Sequence, residues 1–275
     1  MSEEAVETTE TMELNRFDLS AIPDTLTVQP PKLVLYGPAA MGKSTFAAQA
    51  PNVIFANVEK GLKYINTKGI EINSYQDMLD LITALLTQEH DRQTLAVDTI
   101  DWLERLVFEQ VCSEHHVKSI EDIGYGKGYM FALDLWEELL HGFDELHKTK
   151  GMAIILLGHS QIKKYEDPAG AGYDRYQLKL HSKAADLITE WSDALLFVND
   201  KAIVTEEKDG FAKVKKARAS SRIMFTTSGN PAFIAKNRYG ITDEIAFTKS
   251  DSWNNFIGAY NNAMSVITSN NPKEE

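Results

Sequence analysis

Cysteine is almost absent from this chain. Of its 275 residues only Cys112 is one, so no disulfide can form within it. There is no C-x-x-C pair and no His/Cys spacing of the kind that holds structural zinc. The setting this suggests is a reducing cytoplasm, with Cys112 as a buried helix residue. Long apolar runs are missing too. The strongest, Met152 to Leu157, is far too short to cross a bilayer, and the acidic start lacks the basic and apolar parts of a signal peptide. A soluble, unexported protein with no membrane partner is expected. Bases are outnumbered, 28 against 40 acids, for a formal charge of −12, which argues against a protein that coats duplex DNA by bulk electrostatics.

The charge is unevenly spread. Residues 1–13 carry five glutamates and no base, whereas 213–222 (KVKKARASSR) carry three lysines, two arginines and no acid. That run reads equally as a basic path on an acidic body or as the solvated face of a hairpin. Residues 1–29 read as a flexible acidic arm, 30–249 as one α/β core, and 250–275 as a C-terminal helix with a disordered tail. Within the core, apolar runs at 32–36, 53–58, 94–98, 152–158 and 193–198 are continuous rather than alternating. They predict strands of a mostly parallel sheet, buried on both faces. Helical periodicity fills 75–88, 101–116 and 127–149, and a helix beginning at Lys43 is stopped by Pro51. After 199, alternating charged segments around Asp209-Gly210 predict an antiparallel extension.

The most informative stretch follows the first of these runs. Gly37-Pro38-Ala39-Ala40-Met41-Gly42-Lys43-Ser44 matches G-x-x-x-x-G-K-[ST] without a mismatch, and Thr45 adds a second hydroxyl. Glycines let backbone N–H groups converge without intervening side chains, and a following helix N-terminus adds positive potential. Such a loop holds the phosphates of a nucleoside triphosphate, with Lys43 on the β- and γ-phosphates and Ser44 on Mg²⁺. The cofactors expected are therefore ATP and magnesium.

Metal binding also calls for an acid on a nearby strand. Asp98, ending Thr94-Leu95-Ala96-Val97-Asp98, fits that role better than Asp101, which reads as an acid opening the next helix. Glu59, after the run VIFANV, could activate the attacking water or be an ordinary loop glutamate. Gln161, in His159-Ser160-Gln161-Ile162-Lys163, is a candidate sensor of the γ-phosphate.

The strings GPAAMGKS, NVEKG, VDTID and HSQIKK, in that order, resemble the RecA-like P-loop ATPases. Within them the chain is similar to phage-encoded proteins that include the ATP-dependent Sak-type single-strand annealing proteins. DWLERLVFEQVC, SIEDIGYGKGY, HSQIKKYEDPAGAGYDRYQLKLHSKAA and PAFIAKNRYG extend the likeness over roughly residues 32–245. The resemblance implies a RecA-like core, Glu59 as activator of water, and Gln161 as the link between nucleotide and DNA. AKNRYG is similar to a Lys-x-Arg segment that reaches a neighbouring subunit's γ-phosphate. Lys236 and Arg238 are accordingly candidate fingers in trans, or else surface charges at a strand end. It also implies a homo-oligomer, ring or filament, with ATP at subunit interfaces, a single-strand binding protein as a further partner, and the host cytoplasm as the location.

Two segments interleave bases and aromatics: GYGKGY, with Tyr125, Lys127 and Tyr129, and residues 163–183, with Lys163, Lys164, Tyr165, Arg175 and Tyr176. Stacked bases and tracked phosphates would give single-stranded DNA a path there. The alternative is a tyrosine-rich lid over the nucleotide, which the acids Glu166, Asp167 and Asp174 favour. The function expected is ATP binding and hydrolysis coupled to single-stranded DNA in phage recombination or replication, by annealing or strand pairing. A nucleotide-gated adaptor, such as a helicase-loading or packaging partner, is the alternative. A small-molecule kinase is third, since no arginine-rich lid is evident.

Overall fold

The computed structural model describes residues 28–167, 170–209, 212–226, 231–242 and 244–270. All but the last two residues of the expected arm, together with Gly210 and residues 271–275 of the expected tail, lie outside them. Each apolar run is a strand: β1 Lys32–Gly37, β2 Val53–Asn57, β4 Thr94–Asp98, β5 Ala153–Tyr165 and β7 Ala194–Asp209. Five further strands complete the sheet: β3 Lys68–Glu71, β6 Tyr173–Leu178, β8 Ala212–Phe225, β9 Lys236–Asn237 and β10 Ile245–Ala246. The order across it is β10-β8-β7-β1-β5-β4-β2-β3, with β6 on β5 and β9 on β7. From β7 to β3 the neighbours are parallel, and β8, β10, β6 and β9 pair antiparallel.

Burial on both faces explains the continuous apolarity. All five residues of β4 are buried, and successive residues of β1 serve opposite layers. Val34 and Tyr36 join the layer beneath α2 Tyr75–Thr87, α3 Ile100–Glu114, α4 Lys127–Lys150 and α5 Ser182–Trp191. Leu33 and Leu35 join the layer beneath α1 Lys43–Ala48 and α6 Ser252–Asn270. In that second layer Phe46 meets Phe247, Trp253 and Phe256 at ring-centroid distances of 5.5 to 6.0 Å. α2 starts cleanly because Ser74 and Asp77 form a reciprocal capping box.

The sheet departs from the expected outline in one consequential place. β5 does not end at Gly158 but runs on to Tyr165, paired with β6 from Ser160–Leu178 to Tyr165–Tyr173. Residues 163–165 and 173–178 thus form the two strands of a hairpin, and α5 begins at Ser182. The apolar signal of β5 stops where the strand leaves the core, although the backbone ladder continues. β3 was missed for a related reason: all four of its residues are exposed.

Phe256 is fully buried and Val266, on the same helix, is 57% exposed. Phe256→Ala should lower the unfolding free energy by about 3–5 kcal/mol in urea titration, and Val266→Ala should stay within about 0.5 kcal/mol.

Candidate nucleotide site

The phosphate loop links β1 to α1 at the carboxyl edge of the sheet, where ligands collect in open α/β folds. Its first glycine is required by proximity: a Cβ on Gly37 would lie 2.3 Å from the carbonyl oxygen of Val198. Its second is required by conformation, since Gly42 has φ +89°. Ala40 also turns left-handed, at φ 60°, so the backbone curls in the manner of an anion-binding nest. Lys43 is buried, and its Nζ donates to the carbonyls of Gly37 at 3.1 Å and Pro38 at 2.8 Å. Burial pulls its pKa down to about 8, against the opposing charges of Asp98, Asp101 and Glu59.

Those acids arrive on three different elements. Asp98 ends β4 with 4% exposure, and the Ser44 hydroxyl bonds its carboxylate. Burial, reinforced by the charge of Glu59, raises its pKa, while Ser44, Lys43 and His159 counteract. Glu59 follows β2, and the backbone N–H groups of Val58 and Glu59 both donate to the Asp98 carbonyl at 2.9 Å. The Thr99 hydroxyl donates to the Glu59 carboxylate at 3.3 Å. Asp101 opens α3, in its first turn, as its position suggested, and has a further role. It is buried and holds His159 of β5. Because β5 lies between β1 and β4, His159 is level with Gly37, and Leu157 with Asp98.

Several of these groups line a cavity of about 650 Å³, of the size that holds a small-molecule ligand. Residues 39–45, Glu59, Asp98 and His159 face it, and Tyr64, Arg222, Phe247 and Lys249 close its other sides. Among the described residues no group of three His, Cys, Asp or Glu side chains could cage a metal alone. One hydroxyl and one carboxylate beside a phosphate cradle nonetheless suit magnesium, which is bound through few protein groups, phosphate oxygens and water.

A family model described as "AAA domain" matches residues 29–239. The chain belongs to this AAA-domain family. It is therefore a P-loop ATPase domain, with the nucleotide-binding chemistry that the loop and its neighbouring acids provide. No curated protein matches the chain. Among solved structures, the RadB recombinase is similar over 80% of this chain and 89% of its own, at 11% identity and a TM-score of 0.42.

Other candidate residues of this AAA domain lie farther out. Gln161 does not line the cavity; its amide donates to the carbonyls of Leu178 and Leu180 at 2.9 and 3.3 Å. Lys236 pairs with Leu195 near the start of β7, and Arg238 comes just after β9, at the end of the sheet away from Gly37. Lys236 Nζ is taken up by the carbonyls of Thr189, Glu190 and Ser192 at the end of α5. Arg238 is 57% exposed at its side chain, which contacts Asp193 at 3.4 Å and donates to the Glu190 carbonyl at 3.3 Å.

Of the candidate nucleic-acid residues, Tyr125 is fully exposed, and Lys127 and Lys163 are exposed as well. Lys127 and Tyr129 are in the first turn of α4. Tyr129 donates to Glu121 and stacks on His181 at 4.1 Å. Lys164 pairs with Glu166 at 3.0 Å, the Arg175 guanidinium covers Tyr165 at 4.0 Å, and Tyr176 packs on Phe197 at 5.2 Å.

Several cavity residues carry no local signal in the sequence, and two of them are polar groups with defined partners. Arg222 bonds Asp200 at 2.9 Å and the Met41 carbonyl at 3.0 Å; it was visible only as the end of a basic run. His159 sits in HSQIKK, and nothing local in the sequence pairs it with Asp101.

One turn beyond Asp101, Glu104 is buried and accepts the His181 N–H at 2.9 Å. Burial pushes its pKa from 4.5 up to about 7, aided by Asp101 and opposed by His181 and Lys163. The folded state then keeps a proton that the unfolded state has lost. The stability this confers is present below pH 4.5 and is lost as pH rises through about 7. Glu104→Gln removes the linkage, so its stability relative to the parent should climb between these pH values in denaturant titrations.

Proposed function

We propose that this chain is an ATPase that acts on single-stranded DNA in recombination or replication, annealing or pairing strands, and assembles with ATP between subunits. The observation that carries the reading is one of position. The exposed Tyr125, Lys127 and Lys163 stand in the turn before α4, at the start of α4 and on the outer part of β5, and β5 also delivers His159 to the cavity. A strand lying across that surface would bear on the element that touches the nucleotide. Aromatic faces and bases supply stacking and phosphate contacts with little sequence preference.

In this reading the loop N–H groups and Lys43 bind the triphosphate, Ser44 and Asp98 hold magnesium, and Glu59 accepts the proton of the attacking water. Magnesium, when bound, neutralises charge on the phosphates. Lys236 anchors β9 to α5, and Arg238, more exposed and held by two longer contacts, is the side chain that would turn to stabilise a neighbour's transferring phosphoryl group. Gln161 can report on the cavity only through the β5 backbone. The resemblance to phage Sak-type proteins supports the choice of strand annealing and of a phage setting.

A second reading, a nucleotide-gated adaptor for another protein, is favoured by the internal pairing of the hairpin. Lys164, Tyr165, Arg175 and Tyr176 all have partners within the chain.

Lys43→Ala should abolish ATP binding and any ATP-dependent annealing of complementary oligonucleotides; annealing that persists would refute the mechanism. Arg238→Ala should lower turnover about 10³-fold with ATP affinity nearly unchanged, and equal losses in both would count against a finger in trans. Stimulation of the ATPase by single-stranded DNA, with nucleotide-dependent assembly in light scattering, separates the first reading from the adaptor.

A further inference from the structure

His159 is held from one side. Its Nδ1 lies 3.1 and 3.0 Å from the two carboxylate oxygens of Asp101, and its backbone N–H donates to the same carboxylate at 3.1 Å. Burial opposes the charge on Asp101, but the His159 contacts and Thr99 outweigh it and keep that carboxyl below its usual range. An ionised carboxylate only accepts, so Nδ1 must carry the hydrogen, and in the neutral ring Nε2 is then an acceptor. Nε2 stands 4.0 Å from Glu59 Oε2, and both residues face the cavity. That gap is too wide for a direct hydrogen bond. A water about 2.8 Å from each atom would see them at roughly 90°, close to the angle between its own two hydrogens.

We propose that Glu59 and His159 together grip the attacking water, each accepting one of its hydrogens, with Asp101 as the positioning residue that fixes the imidazole tautomer. The inference rests on the ATPase reading and deepens it. A water held by one acceptor can rotate about that bond; a second acceptor stops the rotation and aims an oxygen lone pair. In the reaction the water oxygen bonds to the γ-phosphorus while the bond to the β,γ-bridging oxygen breaks, and ADP leaves with that electron pair. One proton passes to Glu59. The hydrogen held by His159 stays on the phosphate product.

The test uses the full chain, steady-state ATP hydrolysis, and the Kd of a non-hydrolysable ATP analogue. His159→Asn keeps a nitrogen where Nδ1 was, and so keeps the bond to Asp101, but has nothing at Nε2. His159→Gln puts an amide oxygen near the Nε2 position. In Asp101→Asn the new amide donates to Nδ1 and turns Nε2 into a donor, with little change in shape. The expectation is a kcat about 100-fold lower for His159→Asn, with analogue affinity and Tm near those of the parent. His159→Gln should recover about tenfold of that loss, and Asp101→Asn should lose at least as much as His159→Asn.

The proposal is overturned if His159→Asn keeps kcat within about threefold, if it outperforms His159→Gln, if Asp101→Asn is fully active, or if Kd and kcat fall together. A parent that turns over ATP alongside an equally active His159→Asn sinks the water grip alone. A parent that binds the analogue no better than Lys43→Ala sinks the ATPase reading and the grip with it.

Discussion

Lys43 carries a charge into a place where charge is costly. Its side chain is 6% exposed, with two backbone carbonyls as its hydrogen-bond partners and Asp98, Asp101 and Glu59 near enough to draw its pKa back up against burial. An ammonium so placed is tolerable because of what the fold assembles around it, and it is useful because a triphosphate supplies stronger acceptors than two carbonyls. The close contact of Gly37 with Val198, the left-handed turn at Gly42 and the early end of α1 all serve to bring this side chain back over its own loop.

The strand order does the rest. With β5 inserted between β1 and β4, three parallel strands deliver a glycine, a histidine and an aspartate to adjacent points on one edge. α3 then presents Asp101 to His159 and, one turn later, Glu104 to His181. Two buried carboxylates on one helix thus join the cavity to the start of α5, where His181 stacks on Tyr129. A rigid body of this kind gives hydrolysis and the outer surface a shared support, whichever partner occupies that surface.

How much of this could be read from the chain depended on whether its signal was local. The loop is local: GPAAMGKS carries its own turn, donors and helix start, and the structure folds it accordingly. The parallel strands were legible because burial on both faces leaves continuous apolar runs. Gln161 shows the limit. Its place after an apolar strand suggested a sensor, but β5 continues past it, and β6 takes its amide. The pairing of His159 with Asp101 spans 58 positions, and that of Arg222 with Met41 spans 181. Each depends on the order of strands in the sheet, which periodicity alone does not specify. The exposed β3 and the polar β6 lacked any apolar pattern to announce them.

The central claim is that a triphosphate binds at the amino end of α1, beside the acid that ends β4. A crystal structure with a non-hydrolysable ATP analogue and magnesium tests it most directly. The account predicts the β- and γ-phosphates within the curl of residues 37–44, Lys43 Nζ moved from the Gly37 and Pro38 carbonyls onto phosphate oxygens, and the metal between Ser44 and Asp98. Lys43 still on its two carbonyls, with the analogue bound elsewhere or not at all, would contradict it.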